Sequence, residues 1–283
     1  MERDFEQLGR FRDEIRLLML KTLFQLGFGH YGGSLSIVEA LAVLYGGVMR
    51  VDVENPRWDS RDYFILSKGH GGPALYAALA LKGFFPEKVL YTLNQNGTTL
   101  PSHPDRNLTP GVDMTTGSLG QGLSAAVGVA LSHKLSSREN DTYCIVGDGE
   151  LNEGQCWEAI QFAAHHELNR LFVFVDDNKK QLDGPTKEII NPFDFGKKFD
   201  AFGFYTLKVD GGSLREIQEA IQKGKAQQSR PVAIILDTVK GQGVPYLEAL
   251  KDNHHLRPTE GDEQAIFAKI KELEQKLGKE AAV

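Results

Sequence analysis

The 283-residue chain is 41% hydrophobic and 25% charged, the composition of an ordinary globular protein with room for one large domain or at most two. Its formal net charge of −6 gives no reason to expect nucleic acid or an anionic membrane as a partner. A polyanionic ligand must then be held locally, by a metal, helix N-termini or histidines.

From the N-terminus, Met1-Glu2-Arg3-Asp4 is charged where a secretory signal turns apolar. Phe5 to Leu26 carries Leu8, Phe11, Ile15, Leu18 and Leu23 at helical spacing, and Gly27 and Gly29 end that helix. Ser36 is placed to cap a second helix running to about Val48. Asp62–Leu66 reads as a buried strand, after which Ser67-Lys68-Gly69-His70-Gly71-Gly72 turns the chain into a helix beginning near Pro73. Gly117–Gly122 leads into a helix to about Lys134. There follow a strand at Thr142–Val146, a helix at Gln155–Glu167, strands at Leu171–Val175 and Gly203–Val209, a helix at Leu214–Lys225 and a strand at Val232–Leu236. The segment 178–199 has little periodicity and much Lys, Asp, Pro and Gly, and reads as a long surface loop. An amphipathic helix closes the chain within 262–283, its pattern clearest over Glu263–Leu277.

Strands alternating with helices predict an α/β fold, a mainly parallel sheet with helices on both faces, as a single domain over 1–283. Such sheets bind ligands beyond the carboxyl ends of their strands. The longest apolar runs, such as Ala125–Leu131, are short for a membrane span. Cys144 and Cys156 make neither a disulfide framework nor a four-ligand zinc site, and a reducing cytoplasm is the simplest location.

The strongest chemical signal is Gly147-Asp148-Gly149 at the end of one expected strand, with Asn178 at the end of the next. Neighbouring parallel strands lie about 5 Å apart, so the Asp and the Asn can share one ion. Both offer hard oxygen donors, which suit Mg²⁺ or Ca²⁺ rather than zinc. Gly149 lets the backbone approach a diphosphate, and the helix that follows points its N-terminus at the anion. Either segment alone reads as a turn; together, one helix-and-strand step apart, they favour a site. Gly117–Gly122 has the spacing G-x-x-G-x-G without a buried strand before it, which disfavours a nicotinamide site, and no Gly-Lys-Ser/Thr loop occurs. His30, His70 and His103 lie in Gly- or Pro-rich segments and read as functional. His133, His165 and His166 fall on expected helices and read as surface or packing residues.

Gly147-Asp148-Gly149 with Asp177-Asn178 resembles the thiamine diphosphate signature, and its context resembles transketolase from about Arg16 to Glu260. The likeness runs through Gly29–Ser36, Leu66–His70, Ser102–Asp105, Thr115–Gly122, Gly147–Gly154, Asp176–Gly184 and Thr238–Gly243. Tyr31 departs from the family's Pro, and Asn253 from the Trp that often precedes its last His. The resemblance implies thiamine diphosphate with Mg²⁺, Ca²⁺ or Mn²⁺ being alternatives. Asp148, Asn178 and the carbonyl of Lys180 would bind the metal. Gly149 and His70 would meet the diphosphate, and Gly117, Ser118 and Leu119 would pass the aminopyrimidine. His30, His103 and one of His254 or His255 would line the substrate channel or the diphosphate end. Glu153 and Glu158 match carboxylates that join two cofactor sites near a dimer interface.

The family's cofactor-activating glutamate lies in a later, pyrimidine-binding domain, so the resemblance implies a separate C-terminal subunit in an α2β2 assembly. The expected reaction transfers a two-carbon ketol unit between sugar phosphates, with neither nucleic acid nor membrane as partner. Two alternatives stand beside it. One is a subunit of another thiamine diphosphate enzyme, similar to a deoxyxylulose-phosphate synthase or to the first component of a 2-oxo-acid dehydrogenase. The other is a non-catalytic regulatory half-protein.

Overall fold

The computed structural model describes residues 2–279, excepting the side chains of 2–4. Helix α1 (Glu2–Leu26) is followed by α2 (Tyr31–Leu35), α3 (Val38–Val43) and a π-helical turn at Leu44–Val48. Strand β1 (Tyr63–Leu66) and α4 (Gly72–Lys82) come next, then α5 (Gln121–Leu135), β2 (Thr142–Gly147), α6 (Gly154–His165) and β3 (Leu171–Asp177). A small hairpin, β4 (Lys180–Gln181) with β5 (Gly184–Pro185), leads to α7 (Thr186–Ile189) and α8 (Phe195–Ala201). The chain continues through β6 (Tyr205–Asp210), α9 (Leu214–Ala226), β7 (Val232–Asp237), α10 (Pro245–Ala249) and α11 (Glu260–Leu277).

The five long strands form one parallel sheet in the order β1-β2-β3-β7-β6. Alternation along each strand sends side chains to two cores. Tyr143, Ile145, Phe172 and Phe174 join α1, α3, α4, α9 and α11 on one face. Cys144, Val146, Val173 and Val175 join α5, α6 and α8 on the other. Right-handed crossovers explain this division: the chain steps one way from β1 through β3 to β6, and then back from β6 to β7, so α9 falls on the opposite face. Both faces are covered, which is why β2 is buried at every position. Cys144 and Cys156 are free thiols inside the second core.

Several expectations need correction. Ser36 does not cap a helix; it closes α2, and its hydroxyl is drawn away to donate to the Asp176 carboxylate at 2.7 Å. The segment 178–199 is not an irregular loop. It holds the hairpin, α7 and the start of α8, because Phe195 and Phe199 are buried against the sheet. The last helix starts earlier than expected, since Thr259 and Asp262 form a capping box, and it stops at Leu277 because Gly278 takes a left-handed conformation at φ 65°. Residues 280–283 of that expected helix lie outside the described residues. One stretch, Tyr31–Val48, does match a membrane span in length and apolarity. It is broken into α2, α3 and the π turn, and Tyr31 to Tyr45 are all buried in the protein core.

The start of α5 is pressed against the end of β1: a Cβ added at Gly122 would stand 2.5 Å from the Ser67 Cα. Leu123 N–H donates to the Ser67 hydroxyl across the same contact. Gly122→Ala is therefore expected to destabilise the fold by about 1–3 kcal/mol, because neither backbone can yield freely. Urea denaturation of the two proteins checks this, and equal midpoints would refute it.

Candidate functional site

The carboxyl ends of β1, β2, β3 and β7 end nearly level, since Leu66 pairs with Ile145, Gly147 with Asp176 and Asp177 with Asp237. The loops leaving them enclose a cavity of about 300 Å³. At its base lies a buried ion pair, Lys68 Nζ to Asp176 Oδ2 at 2.6 Å. Asp176 also accepts from Ser36, Thr238 and the Asn178 amide. Burial alone would raise its pKa, but Lys68 and these donors hold it below the usual carboxylate value.

Asp148 follows β2 and is also buried. Its two oxygens accept from Gly149 N–H at 2.8 Å and Lys179 N–H at 2.9 Å. Burial, aggravated by the charge of Asp176, pushes its pKa up to about 7. Asn178 donates from Nδ2 to Asp176 at 2.8 Å, and its Oδ1 accepts from Lys180 N–H at 3.1 Å. No group of three His, Cys, Asp or Glu side chains forms a metal cluster among the described residues. The expected donor set is mixed instead: a carboxylate, an amide oxygen and a carbonyl.

Four imidazoles form the other wall. His30 stands at their centre, with ring centroids 5.7 Å from His70, 5.7 Å from His103 and 5.3 Å from His254. Burial lowers the pKa of His30 to about 4, with further depression from His255, and of His254 to about 3, with further depression from Lys240. His70 and His103 are lowered by burial as well. All four are neutral at pH 7, each able to accept a proton and to donate a hydrogen bond. Lys240 reaches into the cavity with Nζ 3.0 Å from His254 Nδ1, and burial beside Lys68 lowers its pKa to about 8.

Of the residues expected from sequence, Asp148, Gly149, Asn178, Lys180, Gly117, Leu119, His30, His70, His103 and His254 border the cavity. His255 does not; it lies 4.7 Å from His30 on an exposed outer layer, against Phe28. Both histidines of the pair therefore touch His30, and His254 is the inner one. Ser118 is exposed and outside the cavity wall, as are Glu153 and Glu158 on the outer side of α6. Gly149 answers a nearer demand than ligand approach, since a Cβ there would stand 2.7 Å from the Gln181 Cβ. A 3₁₀ turn at Glu150–Asn152 separates Gly149 from the start of α6 at Gly154. The Lys180 ammonium is tied to the carbonyls of Glu248 and Leu250 rather than solvated. Tyr31 and Asn253, the two departures, are buried, and Asn253 donates to the carbonyls of Lys240 and Leu247.

Lys68, Glu150, Asp176 and Lys240 belong to the site without a mark in the sequence pattern that singles them out. One signal exists: Asp176 is an acid at the end of the apolar run Leu171–Val175, a position that a parallel strand buries.

The family model "Transketolase, thiamine diphosphate binding domain" matches residues 9–281. The chain belongs to this transketolase family. It is 50% identical over 257 residues to a 6-deoxy-6-sulfo-D-fructose transketolase subunit, SqwG, of Clostridium sp. (strain MSTE9), a match covering 90% of this chain and 93% of the relative. It is 34% identical to an apulose-4-phosphate transketolase subunit of Phocaeicola vulgatus, covering 97% and 98% respectively. Among solved structures, transketolase of Campylobacter jejuni superposes with a TM-score of 0.87 at 28% identity, over 98% of this chain and 44% of that one. The chain thus spans less than half the length of that transketolase and nearly all of the two subunits. Its parallel sheet and covering helices are those of a transketolase N-terminal domain.

The imidazoles give a pH expectation. His30 and His254 should titrate with midpoints near 4 and 3 rather than near 6.5. Because the unfolded chain takes up these protons first, stability should fall as pH drops below about 6.5. Ring-proton chemical shifts in a pH titration read this directly, and a midpoint above 6 for His30 would contradict its burial.

Proposed function

We propose that the chain is the diphosphate-binding subunit of a split, divalent-cation-dependent transketolase that moves a two-carbon ketol unit from a ketose to an aldose. The observation that carries this reading is the joint presence, in one cavity, of an oxygen donor set and a wall of neutral imidazoles. Asp148, Asn178 and the Lys180 carbonyl would hold Mg²⁺, with Ca²⁺ or Mn²⁺ as substitutes. The fit rests on the chemistry of these groups. Asp148 is a buried carboxylate whose partners are two backbone N–H groups, and the Asn178 amide nitrogen is engaged by Asp176, so its oxygen, which accepts from Lys180 N–H, is the atom it can offer to a metal. Lys240 and His70 border the same cavity and would donate to a diphosphate.

When bound, thiamine diphosphate supplies the nucleophilic carbon and electron sink for breaking the bond next to a ketose carbonyl. The chain's own part is to bind, orient and move protons. Neutral His30 or His103 can take the proton from the ketose hydroxyl whose carbon is being released, and return a proton to the carbonyl oxygen of the incoming aldose. No net oxidation occurs: one carbon–carbon bond breaks and another forms. Four imidazoles facing a sugar's hydroxyls favour a ketose donor over a 2-oxo acid, which brings none next to the cleaved bond.

Two relatives covered over nearly their whole length are named as subunits, which supports a separate partner for this chain. That partner would supply the pyrimidine-binding and C-terminal domains, with two copies of each giving an α2β2 assembly. Their names include a sulfonated ketose and a sugar phosphate, so the substrates proposed here are sugars with an anionic terminus, sugar phosphates first among them.

Asp148→Ala and Asn178→Ala should abolish Mg²⁺-dependent thiamine diphosphate binding, measured by calorimetry, while the circular dichroism spectrum is kept. Retained affinity in both would remove the metal assignment. Separately, the purified chain given cofactor, Mg²⁺, a ketose phosphate and an aldose phosphate should show negligible turnover until the partner subunit is titrated in. Full turnover of the chain alone would overturn the split-enzyme reading.

A further inference from the structure

Glu150 takes no part in the chemistry proposed for the cavity. It is 2% exposed and borders the cavity, yet its oxygens are engaged by donors from the chain itself. Oε1 accepts from the Ser67 hydroxyl and from Gly120 N–H at 2.8 Å, and Oε2 accepts from Gly147 N–H at 3.0 Å. Those three donors come from three separate loops. Ser67 starts the one that carries Lys68 and His70, Gly120 ends the one that carries Gly117 and Leu119, and Gly147 is the end of β2 from which the one that carries Asp148 and Gly149 leaves.

Other contacts tighten the same junction. Gln155 donates to the Leu119 carbonyl at 3.3 Å, and a Cβ at Gly120, where φ is 85°, would stand 2.8 Å from the Gln155 amide nitrogen. A Cβ at Gly69 would stand 2.9 Å from Gly117 N. The 117–120 loop has no regular secondary structure of its own, so its distance from the Asp148 loop is set by what it touches. Among the described residues, Glu150 is the one side chain that hydrogen-bonds to all three loops.

We propose that Glu150 is a positioning residue that fixes the separation between the Gly117–Gly120 loop and the Asp148 loop, and so the span over which the two ends of thiamine diphosphate are held. This rests on the proposed function, in which the first loop passes the aminopyrimidine and the second holds the diphosphate. A ligand that reaches only the diphosphate end is indifferent to that separation, whereas one that bridges both loops depends on it.

Two probes separate the cases: inorganic pyrophosphate with Mg²⁺, and thiamine diphosphate with Mg²⁺, each titrated calorimetrically into the full chain. Glu150→Gln keeps the shape but turns an NH₂ group toward at least one N–H donor, so one of the three bonds is lost. The expected result is an unchanged pyrophosphate Kd and a thiamine diphosphate Kd raised about tenfold. Ser67→Ala removes one donor while leaving both backbone bonds, and should give a smaller shift of the same kind if Glu150→Gln does not fold. Equal weakening of both probes, or of neither, in both variants overturns the inference alone. A parent chain that binds neither probe with its partner subunit in place overturns the cofactor reading, and this inference with it.

Discussion

The Lys68–Asp176 pair is the constraint on which the site depends. Two opposite charges lie fully inside the protein at the carboxyl end of the sheet, where removing both from water is costly unless geometry and hydrogen bonds compensate. Compensation is complete on the Asp176 side: it takes donors from four different segments, at Ser36, Lys68, Asn178 and Thr238. Each of those segments also carries a cavity residue or leads directly to one. His30 precedes α2, His70 follows Lys68, Lys180 follows Asn178, and Lys240 follows Thr238. A charge that must be satisfied at one point thus fixes the starts of four loops relative to each other.

The sheet supplies the rest of the precision. Register pairs Gly147, the last residue of β2, with Asp176, one residue before the end of β3, so Asp148 and Asn178 leave adjacent strands within one residue of the same height. The Asp148 carboxylate and the Lys179 N–H then meet directly, with no adjustment of either strand. Covering both faces with helices keeps water from the strands themselves, and the polar groups are concentrated at one edge where loops can serve them.

This division explains which parts of the molecule are legible in the sequence. Strand and helix positions follow from hydrophobic period, and the expected elements differ from the observed ones by a few residues at their ends. Ser36 escapes the local capping rules because its hydroxyl answers a long-range demand, from a residue 140 positions away. The 178–199 segment reads as irregular because its two anchors, Phe195 and Phe199, are too few to show a period. Within the site, His30, His70 and His103, in Gly- or Pro-rich segments, and the Asp148–Asn178 pair, one helix-and-strand step apart, are legible. Glu150, Asp176 and Lys240 are not, since what distinguishes them from surface charges is burial, and burial of a charge is settled by tertiary contacts. Glu153 and Glu158, marked by resemblance as lying near a dimer interface, are exposed and outside the cavity of the single chain.

Charge in the cavity follows from the same burial. Lys68 is neutralised by Asp176, but Lys240 has no carboxylate within salt-bridge distance among the described residues and faces His254 instead. Burial is the main reason that Lys240 and the imidazoles have lowered pKa values, and the Lys240 ammonium adds to it by opposing protonation of His254 and His30. On the other wall, Asp148 has the complementary problem, a carboxylate pressed by the charges of Asp176 and Asp177. The cavity is therefore divided, with one wall short of an anion and the other short of a cation. In the proposed function, a divalent ion with a diphosphate would answer both needs, the cation that of Asp148 and the anion that of Lys240.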